Sequence, residues 1–218
     1  MPIFSDEDKK LIRDEYFDRM KSNVEIYFFW SEDERSRYKD VIRELLKELG
    51  DITDKITITD LKFEEAKEEA SKFNVSYAPC IVLFGEAGEV KYYGVPAGQE
   101  FPSFLKAIVM VSTGEVELDE YLEELLRKIN KKIKIKIFIT LTCPYCPLMT
   151  ETAYKFALKS KNIDVEVIEA EEFVDEVRKY EIYAVPKTII NEEISFEGLI
   201  PPEVFAAYIE KAVKMEGA

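Results

Sequence analysis

Hydrophobic and polar positions along the chain follow two periods, which mark out strands and helices. Short segments that are almost wholly apolar or that alternate, such as VEIYFFW (24–30) and KIKIKIFIT (132–140), predict strands. Longer segments with apolar residues three or four positions apart predict helices. Ser5 and Asp119 stand where helix N-caps are expected, and Asp8 follows Ser5 at the spacing of a capping box. The pattern therefore predicts an α/β protein.

The predicted elements occur twice in the same order. Strands are predicted at residues 24–30, 54–60, 78–84, 89–94, 132–140, 164–170, 185–190 and 194–198, and helices at residues 5–20, 41–49, 63–73, 101–111, 118–130, 147–160, 171–180 and 202–213. Pro186 lies 107 residues after Pro79, at the matching position of the second copy. We therefore predict two units of about 100 residues each, at residues 1–115 and 116–218.

The order of elements within each copy indicates how its strands pair. A strand, a helix and a second strand form a right-handed parallel crossover. The hairpin that follows adds two antiparallel strands, so each sheet is mixed and flanked by helices. This order is the thioredoxin fold, and the predicted architecture is two tandem thioredoxin-like units.

Composition and charge exclude several classes of function. The net charge of −14 argues against nucleic-acid binding, which needs clustered Lys and Arg. The one basic run, residues 128–136, is interpreted as a solvated strand end. No segment approaches the roughly 18 apolar residues of a membrane span, and the N-terminus lacks the apolar core of a signal peptide. We expect a cytoplasmic protein with no membrane partner. Its charged fraction of 34% is typical of thermophile proteins.

The absence of His and the small number of Cys exclude further kinds of catalytic site and metal site. The chain has no His, which excludes Ser–His and Cys–His catalysis and imidazole ligands for a metal. Its three Cys cannot supply the four ligands of a Cys₄ zinc site. We therefore expect neither a metal nor a cofactor.

A CxxC motif, TCPYCP (142–147), follows the strand that ends near Thr140. Beside a strand–helix order of this kind, CxxC is typical of redox dithiols. Cys143 is expected at the helix N-terminus, where free N–H groups favour a thiolate, with Pro144 at the first helical position. Cys143 is then the attacking nucleophile, and Cys146 resolves the mixed disulfide.

The CPYC motif, the segment AVPK (184–187) and the repeated unit together resemble the protein disulfide oxidoreductases of hyperthermophilic archaea and bacteria. GVPAGQEF (94–101) is also similar to the first unit of that family. The resemblance implies a cis Val185–Pro186 bond facing the CxxC, whose backbone pairs with a substrate strand. We expect substrate to contact Val185 and Pro186, and also Thr142, Pro144 and Tyr145 around the cysteines.

The first unit departs from the family pattern. Many members carry CxxC in each half, but the matching turn here reads SEDERS (31–36). This unit is therefore expected to be redox-inactive, although it keeps the proline loop FNVSYAPC (73–80). Cys80 is interpreted as a buried apolar side chain, with a third redox thiol as the alternative.

A proton acceptor for Cys146 is not evident in the strand before the motif, which has no carboxylate. The proton of Cys146 then goes to water or to another carboxylate. Glu166 and Glu169 of the next predicted strand are candidates for tuning the thiol pair, and Glu169 is the possible proton acceptor. For both residues, solvated surface positions are the competing interpretation.

Three hypotheses about function follow. The first is a thiol–disulfide oxidoreductase that acts on protein disulfides and is reduced by a thioredoxin-reductase-like flavoprotein. The second is an electron relay between a flavoprotein and a peroxiredoxin, because the flavoprotein that reduces alkyl hydroperoxide reductase also carries a thioredoxin-fold pair with one CxxC. The third is a polypeptide-binding or chaperone module that uses Tyr77, Tyr92 and Tyr93 of the first unit for strand addition.

Overall fold

The computed structural model describes residues 2–215 and divides the chain into two units. The first unit contains the chain up to Pro96 and the segment Phe104–Gly114. The second contains Ala97–Ser103 and the chain from Glu115 onward. The sequence predicts the boundary between the units after residue 115. The short segment Ala97–Ser103 precedes that boundary but groups with the second unit.

The first unit is a four-stranded mixed sheet flanked by helices. Its helices are α1 (Asp6–Glu15), α2 (Lys39–Ile52), α3 (Lys67–Lys72) and, from Phe104 onward, α4 (Phe101–Thr113), and its strands are β1 (Val24–Trp30), β2 (Ile56–Lys62), β3 (Cys80–Gly85) and β4 (Gly88–Tyr93). The strand order is β2-β1-β3-β4. Strand β1 pairs parallel with β2 and antiparallel with β3, and β3 pairs antiparallel with β4.

The second unit repeats this order. Its helices are α5 (Glu120–Arg127), α6 (Cys146–Lys159), α7 (Val174–Lys179) and α8 (Pro202–Met215), and its strands are β5 (Ile133–Ile139), β6 (Ile163–Glu169), β7 (Lys187–Ile190) and β8 (Ile194–Glu197). The strand order is β6-β5-β7-β8, with β5 parallel to β6 and antiparallel to β7. The prediction of an α/β fold with mixed sheets flanked by helices is confirmed.

Two helix starts follow the predicted capping chemistry. The Ser5 hydroxyl accepts the Asp8 N–H at 3.1 Å, and the Asp8 carboxylate accepts the Ser5 N–H at 2.9 Å. The Asp119 carboxylate accepts the Leu122 N–H at 2.8 Å at the start of α5. Each cap satisfies backbone donors that the first helical turn leaves without partners.

The basic run is a solvated strand end only in part: Lys128 and Lys132 are exposed, but the lysines within β5 are not fully solvated. Lys136 is 7% exposed, and its ammonium group lies 2.6 Å from the carboxylate of Glu192. Lys134 pairs with the fully buried Glu166 at 2.8 Å. Strand β5 is buried on both faces along most of its length. Each of these lysines therefore pairs with a carboxylate, and one partner of each pair, Lys134 or Glu192, stays exposed to solvent. Among residues 2–215, no helix combines the length and apolar composition needed to cross a membrane.

Candidate active site

The two cysteines of the CxxC motif lie where β5 leads into α6. The Cys143 N–H donates to the carbonyl of Thr140 at 3.1 Å, which turns the chain after the strand. Helix α6 begins at Cys146, with Pro147 in its first turn, where a missing N–H costs no helical hydrogen bond. The prediction of Pro144 at the first helical position is therefore wrong. Pro144 lies in the loop, because the chain becomes helical two residues later.

Cys143 and Cys146 form a disulfide, with their Cα atoms 5.5 Å apart. Cys143 keeps 8% of its surface exposed, whereas Cys146 is fully buried. The Cys146 N–H also donates to Cys143 Sγ at 3.1 Å. A backbone N–H at this distance stabilises negative charge on sulfur when the disulfide is reduced. Of the two cysteines, Cys143 is therefore the more accessible to an incoming disulfide.

The proline loop of the second unit faces this sulfur. The Val185–Pro186 peptide bond is cis, as the resemblance implies. The carbonyl oxygen of Val185 lies 3.8 Å from Cys143 Sγ. The carbonyl of Pro186 accepts the N–H of Gly198 at 2.8 Å, which ties the loop to the end of the β7–β8 hairpin. Backbone polar groups and a reactive sulfur therefore lie side by side.

The residues predicted to contact substrate fall into two groups by exposure. Thr142, Pro144 and Tyr145 are exposed around the cysteines. Val185 is half-buried and Pro186 is buried. The contact between Cys143 and Val185 brings the two parts of the predicted site together.

The candidate proton acceptor Glu169 is buried rather than solvated. It is 2% exposed at the end of β6, opposite Ile139 in the β5–β6 pairing. Its Oε2 atom accepts the Glu172 N–H at 2.8 Å. Glu166 is also buried and holds the ion pair with Lys134. The surface interpretation of these two carboxylates is wrong, because both faces of β6 are covered.

A carboxylate that the sequence analysis missed, Glu100, lies in the second unit beside α6. It is fully buried, and its Oε2 atom accepts the Ser103 hydroxyl at 3.1 Å. Desolvation raises the pKa of Glu100 to about 7, while the hydroxyls of Ser103 and Thr150 favour the charged form and limit the rise. Thr150 lies one turn after Cys146 on α6. The only signal in the sequence was a Glu directly before the apolar helix FPSFLKAIVMV.

The segment that carries Glu100 is attached to the loop that carries Cys143. The Gln99 N–H donates to the carbonyl of Leu141 at 2.8 Å. Gly98 has a φ of +56°, and a Cβ atom there would lie 2.4 Å from the Leu141 oxygen. Only glycine allows this approach without strain. The backbone therefore holds Glu100 near the start of α6.

The corresponding turn of the first unit is closed by hydroxyl hydrogen bonds instead of a disulfide. The Ser31 N–H donates to the Ser36 hydroxyl at 3.1 Å, and both side chains are buried. The Ala78–Pro79 bond is cis, as in the second unit. Cys80 follows it as a fully buried thiol in β3, opposite Phe29 and Tyr93.

Comparison with protein families and curated sequences shows that this chain is similar to redox proteins. Residues 133–211 match the family model described as a thioredoxin domain. The F component of alkyl hydroperoxide reductase from Staphylococcus aureus is 26% identical over 174 residues, 80% of this chain and 31% of that protein. A Bacillus subtilis protein named NADH dehydrogenase is 25% identical over 82% of this chain and 33% of its own length. The chain thus spans about a third of the length of these relatives.

Solved structures match nearly the whole chain. A protein disulfide oxidoreductase from Aeropyrum pernix superposes with a TM-score of 0.86 at 27% identity, covering 96% of this chain and 94% of that one. The N-terminal domain of alkyl hydroperoxide reductase AhpF from Enterococcus faecalis gives 0.84 at 22% identity, covering 94% and 99%. Residues 133–211 therefore form a thioredoxin-like domain, and the chain has the fold of thioredoxin-like disulfide oxidoreductases.

Proposed function

We propose that this protein is a thiol–disulfide oxidoreductase that acts on protein disulfides through a Cys143–Cys146 dithiol cycle. The observation that supports it most is the disulfide at the start of α6, with its more exposed sulfur 3.8 Å from the carbonyl of Val185. This arrangement offers a nucleophile and a backbone edge to the same polypeptide strand. In this proposal Thr142, Pro144 and Tyr145 contact that strand beside the cysteines, and Val185 and Pro186 contact it from the proline loop.

The first step is attack by Cys143. Its thiolate bonds to one sulfur of the substrate disulfide, that disulfide breaks, and the other substrate sulfur leaves as a thiolate that takes a proton from water. The Cys146 N–H, 3.1 Å from Cys143 Sγ, stabilises the attacking thiolate. The product is a mixed disulfide between Cys143 and the substrate.

The second step is resolution by Cys146. Its thiol must lose a proton before the sulfur attacks Cys143 Sγ and releases the second substrate thiolate. Glu100 is proposed as the acceptor for this proton, because its carboxyl group meets Thr150, one turn after Cys146 on α6, and its pKa of about 7 suits proton transfer near neutral pH. The Oε2 atom of Glu169, by contrast, accepts a backbone N–H. Two electrons have then passed from the dithiol to the substrate, and Cys143–Cys146 is oxidised.

Regeneration of the dithiol needs an external reductant. A thioredoxin-reductase-like flavoprotein is the proposed electron donor, and the first unit is proposed to be redox-inactive because its turn carries no cysteine. The same steps run in reverse oxidise a substrate dithiol. The direction depends on the reduction potentials of the pair and of its partners.

The test is to trap the mixed disulfide with single-cysteine variants. Cys146→Ser, reduced and mixed with a disulfide-bonded peptide, is expected to accumulate a covalent adduct at Cys143 that mass spectrometry detects. Cys143→Ser is the matched control and is expected to form none. An adduct on Cys143→Ser that equals that on Cys146→Ser would contradict the assignment of Cys143 as the nucleophile.

A second candidate function is supported by the similarity to the alkyl hydroperoxide reductase relatives. In this version the dithiol relays electrons from a flavoprotein to a peroxiredoxin rather than to general protein disulfides. The two are distinguished by comparing peroxide turnover in a reconstituted chain with the reduction of insulin disulfides. The prediction that Tyr92 and Tyr93 bind polypeptide is wrong, because both side chains are fully buried. If the double variant Cys143→Ser/Cys146→Ser kept full activity in suppressing aggregation of an unfolded protein, polypeptide binding by other groups of the first unit would be favoured instead.

A further inference from the structure

Two buried polar atoms on the elements around the resolving cysteine make no hydrogen bond. They are Oγ1 of Thr150 and Oε1 of Glu100, and neither has a hydrogen-bond partner among the residues that the structure describes. Thr150 is 1% exposed, and Glu100 is fully buried. Burying a polar atom without a partner costs free energy, so atoms of this kind in a folded protein call for an explanation.

The Thr150 hydroxyl does not take the partner that its own helix offers. A Thr inside a helix commonly donates to the carbonyl four residues earlier. Thr152 of the same helix does so, with its Oγ1 atom 2.9 Å from the carbonyl oxygen of Leu148. For Thr150 the equivalent partner is the carbonyl of Cys146, and that hydrogen bond is not formed. The hydroxyl proton of Thr150 is therefore left for a group outside α6.

The carboxyl group of Glu100 is the group that meets this hydroxyl. The turn that ends with Glu100 contacts α6, and the Thr150 hydroxyl is close enough to favour the charged form of the carboxyl. The Ser103 hydroxyl already serves the other carboxylate oxygen, Oε2, at 3.1 Å. An acceptor, Oε1 of Glu100, and a donor, the Thr150 hydroxyl, are thus both unused on two side chains that interact.

We propose that Thr150 is a positioning residue for the resolving step: its hydroxyl donates to Oε1 of Glu100 when that carboxyl is charged, and so holds the proton acceptor against the turn of α6 that carries Cys146. The inference rests on the proposed function and adds a residue to its second step. Cys146 and Thr150 are four residues apart on α6, so their side chains lie on the same face of the helix, one turn apart.

The Thr150 hydroxyl keeps its own proton throughout the step. A charged carboxylate has about four lone-pair sites, so it can accept the hydroxyls of Ser103 and Thr150 and still take the thiol proton of Cys146. The Cys146 sulfur then bonds to Cys143 Sγ, the bond between Cys143 and the substrate breaks, and the substrate sulfur leaves as a thiolate. Thr150 affects only the position and the charge state of the acceptor.

The surroundings of Glu100 make its charge sensitive to this hydroxyl. Burial raises the pKa of Glu100 to about 7, and the carboxylate of Glu151 on α6 adds a smaller effect in the same direction. The hydroxyls of Ser103 and Thr150 lower the pKa. Without the Thr150 hydroxyl, Glu100 would keep its proton to higher pH, and less of it would be charged at pH 7.

The test replaces Thr150 by Val, which keeps the shape of the side chain and removes the hydroxyl. Because Val buries no polar atom at this site, the variant is expected to fold. Rapid acid quenching and mass spectrometry follow the mixed disulfide between Cys143 and a disulfide-bonded peptide. At pH 7 Thr150→Val is expected to resolve it about tenfold more slowly than wild type, the size of effect expected for one hydrogen bond to a charged group. Attack by Cys143 is expected to stay within about twofold.

Two further variants separate the hydroxyl from the shape of the side chain. Thr150→Ser keeps the hydroxyl and is expected to restore resolution to within about threefold of wild type. Thr152→Val is the matched control, because it removes a Thr hydroxyl from the same helix that bonds back to Leu148. Its resolving rate is expected to stay within about twofold of wild type.

The pKa of Glu100 gives a readout that a merely structural role of Thr150 would not move. The carboxyl carbon of Glu100, labelled with ¹³C, is titrated by NMR in the disulfide form, in which Cys143 and Cys146 do not titrate. The midpoint is expected to lie about one pH unit higher in Thr150→Val than in wild type, and to return in Thr150→Ser.

Three results would overturn the inference while leaving the proposed function standing. They are a wild-type rate of resolution in Thr150→Val, an unchanged Glu100 midpoint in that variant, and equal slowing in Thr150→Val and Thr150→Ser. If the wild-type protein forms no mixed disulfide with the peptide although Cys143 and Cys146 start as thiols, the proposed function fails, and the inference fails with it.

Discussion

The backbone N–H of Gln99 donates to the carbonyl oxygen of Leu141 at 2.8 Å, which joins the segment Ala97–Ser103 to the loop that precedes Cys143. This bond places the neighbouring Glu100 in the second unit, where its carboxylate meets Ser103 and the helix that starts at Cys146. The proposed proton acceptor and Cys146, the thiol that it would serve, thus come from distant parts of the sequence.

Glu100→Gln is expected to stabilise the protein at high pH. The pKa of Glu100 is raised from 4.5 to about 7, so the folded state binds more protons than the unfolded state between these values. The wild-type free energy of unfolding therefore loses up to about 3 kcal/mol from this group as pH rises from 4.5 through 7, and then levels off. Gln does not ionise and avoids this loss. Urea unfolding at pH 4, 5.5, 7 and 8.5 measures the difference.

The control for this prediction is Glu193→Gln, at an exposed carboxylate of the β7–β8 turn. Its unfolding free energy, relative to that of wild type, is expected to change by less than about 0.5 kcal/mol between pH 4 and pH 8.5. If the difference in unfolding free energy between Glu100→Gln and wild type is the same at pH 4 and pH 8.5, burial does not raise the pKa of Glu100 as described.

The same Glu100→Gln variant is expected to slow the resolving step and spare the attacking step. Without a carboxylate acceptor near Cys146, resolution at pH 7 is expected to fall about a hundredfold, the lower range of general-base contributions. Rapid acid quenching with mass spectrometry follows formation and decay of the mixed disulfide separately. Equal slowing of both steps would indicate damage to the site as a whole.

Gly98→Ala is expected to destabilise the protein by about 3 kcal/mol, because it combines backbone strain with a collision. The added Cβ would lie 2.4 Å from the Leu141 oxygen at a φ of +56°. Gly198→Ala is a matched control, since Gly198 has a φ of +80° but nothing within 4 Å of the Cβ position. It is expected to cost only about 1 kcal/mol from strain. If urea unfolding shows the same loss of unfolding free energy for both variants, the close approach of Gly98 to the Leu141 carbonyl is contradicted.

Cys80→Ala is expected to lower stability without changing redox behaviour. Cys80 is fully buried in β3, so removing its sulfur leaves a small cavity that costs about 1 kcal/mol. The peptide-reduction rate is expected to stay within twofold of wild type, a prediction that follows from the buried-thiol interpretation. A large change in rate would revive the alternative that Cys80 is a third redox thiol.

The sequence predicted the parts of the site that are local in the chain. The CxxC motif after an apolar strand placed Cys143 and Cys146, and the repeated proline placed Val185–Pro186. Pro144 was predicted to be the first helical residue, but α6 begins two residues later. Pro144 and Pro147 both suit a first turn, and the sequence alone does not choose between them.

Buried charge was the part that the sequence did not predict. Glu166 and Glu169 are carboxylates in a predicted strand, and carboxylates are rarely buried, so solvated positions were the competing interpretation. Both faces of β6 are covered in the fold. Lys136 was misjudged for the same reason in β5. Glu100 was missed because it precedes the second unit in the chain, and only the packing of residues 97–103 brings it to α6.

The measurement that tests the central claim most directly is a redox titration in defined dithiothreitol buffers, with alkylation and mass spectrometry to count thiols at each cysteine. Cys143 and Cys146 are expected to titrate together as one two-electron couple between about −120 and −270 mV, while Cys80 stays a thiol throughout. If Cys143 and Cys146 never form a disulfide in solution, or if Cys80 pairs with either of them, the proposed dithiol cycle is contradicted.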